Sequence, residues 1–198
     1  MRKWTGSLGK CSMRNGEEKA VRFIYTGASF APLFSVSDGK TIKLDWGDRQ
    51  STTVNGAVSN VTYTHDYAEA GTYQFKITGD LDGITKFQYN ISALSGDIAN
   101  LSGLTSLTYL ALSNTSVSTY TQGTLPDWDD CNIHIHDLGL SIQAVDDFLC
   151  DLNAASSSSI KLLNIHGTNA VPSVTGLACK DNDPNGLVAK GWTVVVST

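Results

Sequence analysis

Three of the chain's four histidines lie in two short stretches. "CNIHIHDL" at 131–138 carries His134 and His136 one residue apart, and "LLNIHGTN" at 162–169 carries His166. Imidazoles spaced this way can ligate zinc or nickel from an extended segment, or form a patch that charges as pH falls through neutrality. A neighbouring hydroxyl such as Ser113 would give one of them a nucleophile to activate.

The acidic stretches offer a different chemistry. In "DNDPNG" at 181–186, Asp181, Asp183 and Asn185 present short oxygen donors at alternate positions before a turn-forming glycine, an order suited to calcium. The twelfth position is Trp192 rather than a bidentate glutamate, which excludes an EF-hand and leaves only a weak calcium turn. "DWDD" at 127–130 has the same standing, an acidic loop ahead of a strand.

What these residues can do depends on the elements that hold them. Period-two alternation runs through "VRFIY" at 21–25, "TIKLDW" at 41–46, "NVTYTH" at 60–65 and "TYQFKI" at 72–77, divided by Gly, Asp, Asn and Ser turns. Short strands at this spacing predict an antiparallel β-sandwich over residues 21–84. Within it "LDWGD" at 44–48 precedes "HDYAEAGTYQFKI" at 65–77. This pair of motifs resembles the PKD domain, an immunoglobulin-like sandwich, at Trp46 or its neighbour Asp45, Gly47, Asp48, His65, Tyr67, Gly71 and Tyr73. The turn departs from that family at Arg49, where glycine is usual. Gly47 is suited to a positive φ, and Asp48 to holding backbone amides in the turn. The resemblance implies a fold rather than a chemistry, with His65 structural and Tyr67 and Tyr73 packed inward.

From 85 to 198 a repeat takes over. "LSGLTSLTYLALSNTSV" at 101–117 places leucines at 101, 104, 107, 110 and 112. It resembles a leucine-rich repeat, with Thr115 where asparagine is typical. The Leu110/Leu112 pair recurs in phase at Phe87/Tyr89, Ile133/Ile135, Leu163/Ile165 and Trp192/Val194, in steps of 23, 23, 30 and 29 residues. Ser141 is suited to cap a helix over 142–155 whose apolar face is Ile142, Val145, Phe148, Leu149 and Leu152, which lengthens the third step. The expected architecture is therefore mainly β with some α, a sandwich followed by a solenoid with a short parallel sheet. The ending "GLVAKGWTVVVS" is similar to terminal units of short repeat proteins from gut Bacteroidetes and their bacteriophages.

In such a solenoid the rungs point inward and their neighbours outward. Three outward columns follow: Lys86, Tyr109, Asn132, Leu162 and Gly191; Gln88, Ala111, His134, Asn164 and Thr193; Asn90, Ser113, His136, His166 and Val195. The expected binding face is Tyr109, Ser113, His134, His136, Asn164 and His166. His136 and His166 fall side by side on adjacent strands, about 4.8 Å apart by backbone. They are the candidate zinc ligands, as Asp181, Asp183 and Asn185 are for calcium.

Composition limits the rest. The net charge of −5 over 198 residues argues against bulk nucleic-acid binding. Residues 1–20 read as a basic arm, and residues 1–22 carry a net +4 against −7 from residue 91 onward. That contrast suits docking of the arm on the acidic body or on a neighbouring copy, so a homo-oligomer enters the partner set. No run reaches the roughly 18 apolar residues of a membrane helix, and the first 20 residues lack the apolar centre of a secretory signal. Cys11, Cys131, Cys150 and Cys179 lie far apart, which favours buried free thiols over a bridge. No phosphate loop, cofactor fingerprint or acid–base pair is assembled, so the expectation is a non-enzymatic protein without an obligate cofactor. The leading role is a bacteriophage virion component (capsid decoration, fibre or tail-associated subunit). A bacterial surface adhesin or glycan-binding module is the alternative, and a metal-dependent hydrolase ranks third.

Overall fold

The apolar alternation seen in the sequence becomes strands in a computed structural model, which describes residues 19–123, 125–181 and 185–198. The basic arm lies almost wholly outside them, as do Cys11 and Asp183. The first half contributes β1 (Val21–Phe30), β2 (Leu33–Val36), β3 (Thr41–Asp45), β4 (Ser51–Asn55), β5 (Val58–Thr62), β6 (His65–Gly79) and β7 (Ile84–Gln88). The second half adds β8 (Leu94–Asp97), β9 (Tyr109–Ala111), β10 (Ser116–Thr119) and β11 (Asn132–His134). It ends with α1 (Ile142–Ala155), β12 (Leu162–Asn164), α2 (Val174–Asp181) and β13 (Thr193–Val195).

The protein is mainly β, with two mixed sheets. One runs β10-β8-β1-β6-β3-β4 and the other β13-β12-β11-β9-β7-β2-β5. The second crosses the expected module boundary. β7 pairs antiparallel with β2 on one edge and parallel with β9 on the other. The sheets face each other across Phe23 of β1 and Phe87 of β7, whose ring centroids lie 6.1 Å apart. Among the described residues the buried apolar side chains of both halves form one cluster.

The turn at 46–50 forms as its residue types require. Gly47 has φ 88°, and Asp48 accepts a hydrogen bond from the Gln50 amide at 2.9 Å. Arg49 sits at φ 75°, a left-handed conformation that costs an L-residue roughly 1–2 kcal/mol. Tyr67 is buried and donates to the Trp46 carbonyl at 2.9 Å, while Tyr73 stacks on it half-buried. His65 contacts the Asp48 carboxylate at 2.8 Å and stacks on Trp46 at 5.0 Å.

In the second half the ladder β7-β9-β11-β12 has the register expected from the rungs, aligning Phe87, Leu110, Ile133 and Leu163. The last strand does not. Leu163 pairs with Val194 rather than Trp192, a slip of two residues. Gly191 lies directly against the Ser159 carbonyl, and Trp192 still belongs to the turn, its N–H donating to Leu187 O at 3.0 Å. The strand can begin only after it. Thr193 and Val195 therefore occupy the columns expected for Gly191 and Thr193.

α1 has the expected limits, and Ser141 accepts from the Ala144 amide at 3.2 Å. Val145, Phe148, Leu149 and Leu152 are buried, but Ile142 is 54% exposed because it opens the helix beyond the sheet's cover. α2 was not expected. It lies beside α1, and a disulfide joins Cys150 to Cys179 with Cα atoms 5.0 Å apart. The reading of these two as free thiols is thus corrected: their proximity depends on a helix that the apolar pattern did not announce. Cys131 is a buried free thiol whose pKa burial pushes up to about 12.

One side chain closes the ladder's C-terminal edge. Asn169 is 3% exposed; its Oδ1 accepts from the Leu138 and Leu140 amides at 3.1 Å each. Its Nδ2 donates to the carbonyls of Ile135 at 2.8 Å and Ile165 at 2.9 Å. Asn169→Ala strands all four backbone groups in the interior, and each uncompensated group is costly. Urea denaturation should show a loss of about 3 kcal/mol; a loss below about 1 kcal/mol would contradict this role.

Candidate functional site

The outward face of the ladder brings the expected residues together. Register places Lys86, Tyr109, Asn132 and Leu162 in one column and Gln88, Ala111, His134 and Asn164 in the next. Backbone hydrogen bonds continue past the strands. Asn114 N–H donates to His136 O at 3.3 Å, and Asp137 N–H donates to His166 O at 3.1 Å. Those bonds set His136 beside His166, and their rings stack with centroids 5.3 Å apart and planes 7° from parallel. One strand over, the Tyr109 and His134 rings lie 5.3 Å apart, and the Lys86 ammonium sits 4.5 Å above the Tyr109 ring.

Each imidazole has a defined environment. His136 Nδ1 lies 2.7 Å from Asp137 Oδ2, while Asp137 Oδ1 accepts from the Thr168 amide at 2.9 Å. These bonds hold the Asp137 carboxyl below its usual range, the His136 hydrogen bond foremost. Gly167 makes the arrangement possible: a Cβ there would sit 2.0 Å from Asp137 Oδ1. His134 is pushed below the ordinary imidazole range by burial and then by the nearby His136 charge. Asp137 is the member that spacing alone did not assign to the face. The adjacent "HD" pair was its only signal, and Asp137 meets His136 from a left-handed backbone at φ 58°.

Other expected members take different positions. Ser113 is 4% exposed and its Oγ donates to the His134 carbonyl at 3.2 Å, a backbone tie rather than a contact to an imidazole ring. Among the described residues, Asn164 Oδ1 is buried without a hydrogen-bond donor facing it. Stacked imidazoles offer their faces to each other rather than converging nitrogens. Among the described residues no group of three or more His, Cys, Asp or Glu is placed to hold a metal ion. In the proposed calcium turn, Asp181 closes α2 paired with Lys180, Asn185 is exposed, and Asp183 lies outside the described residues. In "DWDD" the Asp129 carboxylate already accepts from the Ser157 hydroxyl at 2.6 Å and from the Ser157 and Ser158 amides at 3.1 Å. Trp128 beside it is buried and donates to Leu104 O at 2.9 Å.

Comparison with known proteins finds no matching family model, no matching curated protein and no matching solved structure. Among the described residues, no helix is long and apolar enough to cross a membrane.

The depressed His134 ties folding to pH. The folded state favours the neutral ring, so its stabilisation is complete above the unfolded value of 6.5 and is lost as pH falls through the lower folded value. Stability measured by urea titration should therefore decline from pH 7 to pH 5. His134→Gln should flatten that decline while leaving the separate carboxylate-linked loss below about pH 4. An identical slope in both proteins would contradict the assignment.

Proposed function

We propose that the chain is a non-enzymatic binding and assembly module, a PKD-like sandwich fused to a short leucine-rich-repeat solenoid, and that it serves as a bacteriophage virion component. The observation that carries this reading is the continuous seven-stranded sheet through β7. It joins both halves in one sheet and sets Lys86, Tyr109, His134, His136, Asn164 and His166 along one side of the ladder. Such faces suit recognition of a large partner surface, since side chains fixed by neighbouring contacts lose little freedom on binding. Tyr109 supplies apolar area with a polar tip. The Cys150–Cys179 bridge supports a working life in an oxidising medium such as the exterior of a released particle.

The runner-up, a cell-surface adhesin or glycan-binding module, rests on the same face, because an aromatic ring among amides and imidazoles also suits a sugar. A metal-dependent hydrolase draws only on the His136–His166 neighbourhood. Zinc, calcium and self-association through the basic arm remain parts of this proposal rather than its basis.

Fractionation separates the readings. Antibody raised against the purified chain should detect it in density-purified phage particles from lysed cultures, and Tyr109→Ala with His136→Ala should reduce its occupancy about tenfold or more while leaving it folded. Recovery in the washed cell envelope, with none on particles, would contradict the virion role and favour the adhesin.

A further inference from the structure

α2 is held to the molecule in an unusual way. Of its residues Val174–Asp181 only Gly176 is buried, while Val174 is 84% and Leu177 38% exposed. It has no apolar stripe to drive docking, and eight residues are too few for a helix to persist alone in water. Among the described residues its non-covalent ties are mainly polar, with Cys179 partly buried against the edge of the core. Asp146 of α1 accepts from the Ser173 amide at 2.9 Å and from the Ser173 hydroxyl, and Ser173 Oγ in turn accepts from the Thr175 amide at 3.1 Å. At the other end α2 is fixed by the covalent bond from Cys179 to Cys150, and the Leu187 and Val188 amides donate to the Cys179 and Lys180 carbonyls at 3.0 and 2.9 Å.

The segment after α2 is held differently. Leu187 and Trp192 are buried in the common core, and the Lys190 ammonium donates to the Asn153 and Ser156 carbonyls at the end of α1. β13 therefore has anchors of its own. The α1 surface under α2 carries Asp146 and Cys150, whereas the apolar residues Val145, Phe148, Leu149 and Leu152 face the sheets. Undocking α2 would bare the Asp146 and Cys150 stripe of α1 and withdraw only the partly buried Cys179 from the edge of the core.

We propose that the Cys150–Cys179 disulfide is a redox-controlled lock on α2: the helix docks when the pair is oxidised and is released when it is reduced, with the rest of the fold unchanged. Both cysteines are only partly buried. Locking proceeds by thiol–disulfide exchange with a small disulfide such as oxidised glutathione. One cysteine thiolate attacks it, releasing one glutathione thiol and forming a mixed disulfide. The second cysteine thiolate then displaces the other glutathione thiol. The protein loses two electrons and two protons, and the glutathione disulfide is reduced to two thiols. A chain made in a reducing interior would thus acquire its final α2 only after reaching an oxidising exterior. This goes beyond the binding role and stands whichever partner the outward face takes.

Hydrogen exchange with mass spectrometry on the full chain tests it, comparing protein oxidised with glutathione disulfide against the same protein in a phosphine reductant. Amides of 174–181 should exchange about tenfold or more faster after reduction, while those of β11 and β12 keep their protection. Cys150→Ser combined with Cys179→Ser should show the fast rate with or without reductant. Equal α2 exchange in both redox states would overturn the lock. So would loss of protection across β11 and β12, or alkylation of both cysteines in the oxidised sample.

Discussion

The structure depends on the two-sided pairing of β7. A strand of five residues carries an antiparallel neighbour on one edge and a parallel one on the other. The two hydrogen-bond patterns place the pleats of β2 and β9 in one continuous alternation. Phe87 consequently stacks on Phe34 from the first half at 5.1 Å and aligns with Leu110 from the second. Every outward side chain from Lys86 to Thr193 then belongs to a single surface. Without this strand β9 would be left as an open sheet edge, a liability that folded proteins avoid.

The chemistry of the face follows from that geometry. Parallel register brings the 133–136 and 163–166 segments alongside each other, so His136 meets His166 because Ile133 meets Leu163. The histidine spacing that first suggests a metal pair is in this sense a consequence of strand alternation. Asp137, Thr168 and Gly167 then fix the His136 ring, and burial keeps His134 inclined to the neutral form. The described residues thus place mixed polar and aromatic groups side by side along the ladder.

Much of this was legible in the sequence because core rungs repeat in phase. Leu110, Ile133 and Leu163 announced their register, and Ser141 with Val145, Phe148, Leu149 and Leu152 announced α1. Three features were not legible, each for a physical reason. The slip at Trp192 arises because a large apolar residue before a strand looks like a rung, whereas a turn against Ser159 delays the strand. α2 has no amphipathic pattern to read, so the disulfide that depends on it was hidden as well. Asn169 lies one residue past the position equivalent to Thr115, whose own hydroxyl donates to Leu112 O at 2.7 Å, so a local motif could not reveal its four backbone partners.

One sheet running unbroken from the first half into the second is open to measurement through nuclear Overhauser contacts between backbone protons. Cross-strand contacts should link Ser35 to Lys86, Lys86 to Tyr109, Tyr109 to Asn132 and His134 to Asn164 in one unbroken series. A series that stops at β7, with β9 paired elsewhere or unpaired, would contradict it.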